Sequence, residues 1–269
     1  MNVTGKKNIL LENECVEKFN QTFPPVFYKL HKLLENENTT LTEIAEVIKK
    51  DVILTTKLLR IANTPYYGFP KKVATVEDAL MLMGLNMLRI IIYTLCITDI
   101  MNSHYQSLCK HSVSVGSIAR LIAITLGLEK TGEVYTAGLL HDFGKIIIKI
   151  CQGCNYEKLI KKSKEEGKPL WLVEQETFKV NHARLAELLL IKWKFPDRLI
   201  EAISCHHFPE KSRTYKKEAA VIHLADAIAN AYPKRKYNLV PGFNPDSLKI
   251  LEIDENTFNN EILPLCDSL

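Results

Sequence analysis

Seven residues in the C-terminal half put imidazole or carboxylate groups on otherwise apolar helix faces: His111, His141, Asp142, His182, His206, His207 and Asp226. The adjacent pair His141-Asp142 is the sharpest feature. It follows Ala137-Gly138-Leu139-Leu140, a run that belongs in a core, where an unpaired carboxylate is expensive. A divalent cation is the most economical compensation. Imidazole and carboxylate together suit iron, manganese, zinc or nickel better than calcium or magnesium. Ligands on separate helices aimed at one centre are what a helical metal site requires. About four of them hold one ion, and roughly six or more allow two ions a few ångströms apart.

Some histidines keep two readings. His207 either joins the ligands or caps its helix by donating to a free carbonyl. His223 lies one turn before Asp226 and reads as an ordinary core or surface residue, with a supporting contact to a ligand as the alternative. His31 and His104 have no aligned partners and are assigned nothing.

The elements that must position these groups are helices from end to end. Thr40-x-x-Glu43 is a capping box opening a helix over Leu41–Lys50, and Asp51–Ala62 repeats the apolar pattern. Pro65, Gly68 and Pro70 break it. Thr75-x-x-Asp78 starts another helix, with a stop expected at Gly84 and a long apolar helix from there to about Met101. His111 aligns with Val115, Ile118 and Ile122, so it points inward. Tyr135–Ile150 reads as one apolar helix carrying His141 and Asp142. Asn181–Trp193 carries His182, the helix from Pro196 runs into His206 and His207, and Glu218–Tyr232 carries His223 and Asp226. The expectation is an all-α, two-part helical bundle, divided into residues 1–103 and 104–269.

Composition narrows the function classes. A net charge of +4 over 269 residues argues against a nucleic-acid-coating surface, and no nucleic-acid partner is expected. The basic stretch Lys158–Lys168 alternates with Glu165 and Glu166 and reads as a solvated helix face; a second cluster is Lys234-Arg235-Lys236. Seven cysteines without framework spacing do not look like a secreted disulfide scaffold, and Cys151-x-x-Cys154 reads as two thiols at a helix end. The first residues lack a signal-peptide pattern. The greasiest stretch, Ala79–Met101, contains Gly84, Asn86 and Arg89 and reads as a buried helix rather than a membrane span. A cytoplasmic protein without membrane association is expected.

His111…His141-Asp142…Asp226 resembles the H…HD…D signature of the HD superfamily of metal-dependent phosphohydrolases. His182 and His206-His207 resemble the added ligands of its dinuclear branch, which includes the HD-GYP phosphodiesterases, and His141-Asp-Phe-Gly-Lys145 is similar to that branch's HDxGK motif. The resemblance implies that Asp142 bridges two metals and that Lys145 lies near the phosphate. A second resemblance covers nearly the whole chain. Phe23-Pro-Pro25, Asp51, "LTTKLLRIANTPYYGFP", "TVEDALMLMGLNMLR", "GLLHDFGK", "VNHARLAELLLIKWKFPDRLIEAISCHH" and "VIHLADAIA" look like the HDOD family of bacterial signalling output modules. That likeness implies an N-terminal helical half on an HD-type half, here as a stand-alone module without a receiver segment.

The departures matter. After His206-His207 the chain reads Phe-Pro-Glu-Lys-Ser, so the resemblance does not extend to cyclic di-GMP specificity, and Ser107 replaces the acidic ligand of trinuclear relatives. Two functions from different classes follow. The family resemblance favours an output module acting through a protein partner. The ligand chemistry favours a phosphohydrolase or phosphodiesterase acting on a nucleotide or other phosphoester, with Asp142 and Lys145 as its catalytic groups. Tyr66 and Tyr67 are expected to be packing residues of a turn.

Overall fold

A computed structural model describes residues 13–64, 72–231, 240 and 242–266. The Pro65–Pro70 break, Tyr66, Tyr67 and the Lys234–Lys236 cluster lie outside the described residues. All regular elements among the described residues are helical, as the apolar periodicity predicts. In chain order they are residues 13–20 (α1), Pro25–Glu35 (α2), Leu41–Lys49 (α3), Val52–Ala62 (α4), Val76–His104 (α5), Gln106–Thr125 (α6) and Thr131–Leu140 (α7). There follow Gly144–Gln152 (α8), Cys154–Glu166 (α9), Leu170–Phe178 (α10), His182–Lys192 (α11), Asp197–Ser204 (α12) and Lys216–Ala231 (α13), then shorter helical turns.

The chain divides into two compact units. Asn20–Ile100 forms one. Within it, the Thr40 capping box is complete: the Thr40 hydroxyl accepts from the Glu43 amide, and the Glu43 carboxylate accepts from the Thr40 amide. Asp51 caps α4 by accepting from the Leu54 amide at 2.8 Å. The core gathers Leu30, Ile44, Ile48, Leu58, Leu80 and Leu88. The stop expected at Gly84 is a kink: φ +68° and ψ 171° interrupt α5, a conformation only glycine adopts cheaply. α5 is long and apolar enough to cross a membrane, but half of its most apolar stretch is buried inside the protein. Arg89, on its buried face, donates to the Leu34 carbonyl at 3.2 Å.

The second unit contains residues up to Phe19 and Met101–Leu269. Placing α1 here departs from the expected division near residue 103, and two contacts explain it. Cys15 is disulfide-bonded to Cys151, so Cys151 is not one of two free thiols at a helix end. Phe19 packs against Phe143 and Trp193, with ring centroids 6.4 and 6.3 Å away. α6, α7 and α12 pack on α13, whose apolar positions from Ala219 to Leu224 are buried almost all round.

Tyr135–Ile150 is not one helix. It breaks at His141-Asp142-Phe143, a turn between α7 and α8. The reason is close packing at Gly144. A Cβ there would stand 2.0 Å from the His182 carbonyl oxygen, so the glycine lets the start of α8 meet the start of α11. At Gly138, on α7, a Cβ would lie 2.8 Å from the Gly116 Cα of α6. These two contacts bring α6, α11 and the turn between α7 and α8 within reach of one another.

Candidate metal centre

His111 projects from α6, His141 and Asp142 from the turn after α7, His182 from the first position of α11, His206 and His207 from the turn after α12, and Asp226 from α13. The structure brings all seven together. Three overlapping trios each place their ligand atoms within 4.8 Å: His111, His141 and Asp226; His141, Asp142 and His206; His182, His206 and His207. Asp142 lies between the groups. Its Oδ2 is 3.4 Å from His141 Nε2 and 3.7 Å from His111 Nε2, while its Oδ1 is 3.3 Å from His182 Nε2. Asp226 Oδ1 lies 3.0 Å from His111 Nε2 and 3.6 Å from His141 Nε2.

The imidazoles are held from behind. His141 Nδ1 is 2.7 Å from the Gly138 carbonyl and His206 Nδ1 is 2.7 Å from the Ile203 carbonyl. A carbonyl only accepts, so in both rings Nδ1 carries a proton and Nε2 is the atom turned into the cluster. Those two Nε2 atoms are buried and have no hydrogen-bond partner. A buried ring nitrogen without a partner is costly in a protein interior, and a cation bound there resolves it. His207 is a member of the cluster: its Nε2 faces the His182 Nε2 at 2.9 Å. Its ring also lies against Trp171, with centroids 5.7 Å apart.

Charge points the same way. Asp142, Asp226 and the buried Glu174 bring three carboxylates to the site, against the Lys145 ammonium, which is hydrogen-bonded to Asp142. Burial works against ionising Asp142, but His141 and Lys145 outweigh it and hold the carboxyl well below its usual range. Asp226 behaves likewise through His111 and His141. Burial would lower His141, yet Asp142 and Asp226 raise it to about 10, so without a cation it carries a proton that a metal must displace. Burial and the neighbouring imidazoles push His206 down to about 3 and His207 down as well, leaving both as neutral ligands. The residues present therefore fit a divalent transition metal in donor type and direction.

Two cavities flank the cluster. One, of about 680 Å³, is lined by His182, His207, Asp226 and Trp171; the other, of about 770 Å³, by His111, Asp142, Lys149 and Tyr105. Lys145, Lys164, Leu170 and Asn230 line both. Lys164 belongs to the basic stretch expected to be a solvated face, and it is an exposed residue on the rim of this cleft.

Sequence reasoning missed two contributors, Glu174 and Asn230, and gave a third, His223, its supporting role only as an alternative. Glu174 accepts from His182 through both the backbone amide (2.9 Å) and the ring Nδ1 (2.6 Å). Asn230 donates to Asp226 Oδ1 at 2.7 Å, a contact whose only trace in the sequence is the one-turn spacing. His223 is buried and supports the centre: its Nδ1 lies 2.8 Å from the His206 carbonyl while its Nε2 accepts from the Asn244 amide, also at 2.8 Å. This is the supporting role left as an alternative above.

The chain is similar to known proteins. The model of the HDOD domain family matches residues 21–209. An uncharacterised protein of Treponema pallidum is 24% identical over 208 residues, which is 76% of this chain and 40% of the relative. Ribonuclease Y of Desulforamulus reducens is 28% identical over 151 residues, 56% of this chain and 24% of the relative. The chain thus spans less than half the length of these relatives. Among solved structures, a candidate phosphohydrolase of Shewanella amazonensis superposes with a TM-score of 0.64 at 20% identity, covering 96% of this chain and 93% of that one. A candidate signal transduction protein of Marinobacter aquaeolei gives 0.57 at 17% identity, covering 91% and 56%. At these identities the structural likeness speaks to the fold.

Proposed function

The chain belongs to the HDOD domain family, and from that premise we propose that it is a signalling output module that holds one or two divalent transition-metal ions and hydrolyses a phosphoester. One observation carries this reading: seven ligand side chains from five places in the chain converge around Asp142, whose two oxygens face different members of the cluster. A helical core without a metal function has little reason to bury so many polar groups and leave the His141 and His206 Nε2 atoms unpartnered.

When bound, the ions supply charge stabilisation for a transferring phosphoryl group and lower the pKa of water. The chain's own residues do the rest. His111, His141, Asp142 and Asp226 would hold one ion; His182, His206, His207 and the shared Asp142 would hold the other. Lys145, lining both cavities beside Asp142, offers a fixed positive charge to a phosphate oxygen. Asn230 keeps the Asp226 carboxylate turned toward His111. Cavities on both sides of the cluster give room for a group on each side of a phosphate, which favours a diester. The test is turnover of a bis-aryl phosphodiester, cyclic dinucleotides and a short RNA in added manganese or iron, with Asp142→Ala as control. Metal-dependent turnover that the variant lacks supports the reading. A metal-loaded protein inert on all of them would contradict it.

A second reading is favoured by a different observation: an output module that acts through a protein partner and keeps the metal as a structural element. In the Asn20–Ile100 unit, Val52 and Ile53 on α4 and Met81 and Leu82 on α5 are exposed. Such residues suit a protein partner. Partner binding lost in Ile53→Asp and Met81→Asp, with metal retained, would support it.

A further inference from the structure

We infer that Glu174 and Tyr156 are positioning residues that make the three-imidazole side of the centre a metal subsite separable in affinity from the other side, an inference that rests on the metal-centre reading above. Glu174 is 0% exposed, on α10, and its carboxylate is fully engaged. Oε2 accepts from the His182 amide and from His182 Nδ1, while Oε1 accepts from the Tyr156 hydroxyl at 2.6 Å. Tyr156 comes from α9 and is itself buried. Three helices thus spend a tyrosine, a glutamate and a histidine on one hydrogen-bonded chain that ends at His182 Nε2, among the ligands.

The chemistry of the chain is directional. An ionised carboxylate only accepts, so His182 Nδ1 carries the ring proton and Nε2 carries the lone pair. A carboxylate behind an imidazole also raises its basicity as a ligand and fixes the ring's orientation. Among the ligand histidines whose Nδ1 contacts are described, His182 alone has a carboxylate there; His141 and His206 have backbone carbonyls.

That asymmetry matches an asymmetry in the ligands. The side built from His111 and His141 has two carboxylates, Asp142 and Asp226. The side built from His182, His206 and His207 has only the shared Asp142. Glu174 supplies from behind the negative charge that this second side lacks. Removing it weakens the ion held by His182 and leaves the ion beside Asp226 in place.

The experiment is equilibrium binding of Mn²⁺ to the metal-stripped full chain, counting bound ions and following the electron paramagnetic resonance of the exchange-coupled pair. Wild-type protein is expected to bind two ions and give the coupled signal. Glu174→Gln keeps one ion at wild-type affinity, binds the other roughly 10- to 100-fold more weakly, and gives the spectrum of isolated Mn²⁺ at concentrations that saturate only the tighter site. Tyr156→Phe, which removes a single hydroxyl, weakens the same ion to a smaller degree. It carries the test alone if Glu174→Gln fails to fold. Weakening of both ions equally, or of neither, in a variant with a wild-type melting curve overturns the relay while leaving the metal centre standing. Wild-type protein that binds no Mn²⁺ overturns the metal-centre reading itself, and the relay with it.

Discussion

Asp142 Oδ1 lies 3.3 Å from His182 Nε2, while the other oxygen of the same carboxylate lies 3.4 Å from His141 Nε2. With one oxygen turned to each of two imidazole groups, Asp142 would serve both sides of the proposed metal centre. Asp142 is adjacent to His141 in sequence but forty residues from His182, so the relationship depends on the Gly144 contact that sets α8 against α11.

That contact gives the first prediction. Gly144→Ala places a methyl group against the His182 backbone, which cannot swing aside as a side chain does. Overpacking costs about 1–3 kcal/mol in ordinary cores, and this substitution is expected at the upper end or beyond. A thermal melt should show a large drop in Tm and metal analysis a loss of bound ion. A variant with wild-type Tm and metal content would mean that α8 and α11 do not meet this closely.

Lys145 separates binding from chemistry. Its ammonium is hydrogen-bonded to Asp142 and is not a ligand, and the Asp142 and Asp226 carboxylates hold its pKa up against burial. Lys145→Met is expected to keep the metal and lower kcat by roughly 100- to 1000-fold, the scale seen when one fixed electrostatic donor is removed. Unchanged kcat with full metal would remove Lys145 from the reaction.

A pH prediction comes from Glu201, away from the centre. Its Oε2 accepts from Ser212 Oγ at 2.6 Å and from the amides of Arg213, Thr214 and Tyr215 at 2.9, 2.9 and 3.2 Å. Burial pushes its pKa up, but these donors outweigh it and set the carboxyl below the usual value. A depressed folded pKa means the stabilisation is fully present above the unfolded value, about 4.3, and is lost as pH falls through the folded value. Wild-type protein should therefore exceed Glu201→Gln in Tm by a constant margin from about pH 6 to 8, with the margin shrinking below about pH 4. A margin independent of pH down to 3 would contradict this.

The Cys15–Cys151 link is checked by chemistry. Denatured without reductant, the oxidised protein should titrate five thiols, from Cys96, Cys109, Cys154, Cys205 and Cys266. Reduction should lower Tm, since a cross-link over 136 residues contributes up to about 5 kcal/mol in the loop-entropy picture. Seven titratable thiols would show the pair unlinked.

Much of the centre was legible in the sequence because each ligand is a polar residue on an apolar stripe, and a one-dimensional pattern records that. His111 among Val115, Ile118 and Ile122, and Asp226 among the apolar residues of α13, are such cases. Glu174 was not legible. Its partner His182 is eight residues away across a helix end, and nothing in Leu170–Phe178 distinguishes a buried carboxylate from an exposed one. The break at His141–Phe143 was hidden because apolar residues continue on both sides of it, so the periodicity runs through the turn. Pairing Cys15 with Cys151 depends on tertiary packing around Phe19, which local pattern does not carry.

The most direct test of the central claim is elemental analysis of purified wild-type protein beside Asp142→Ala. A bridging Asp142 predicts up to two equivalents of iron, manganese, zinc or nickel in the wild type and loss of essentially all of it in the variant, because both sides of the centre share that carboxylate. Metal content unchanged by Asp142→Ala, or a wild-type protein that takes up no metal when it is supplied, would contradict the account.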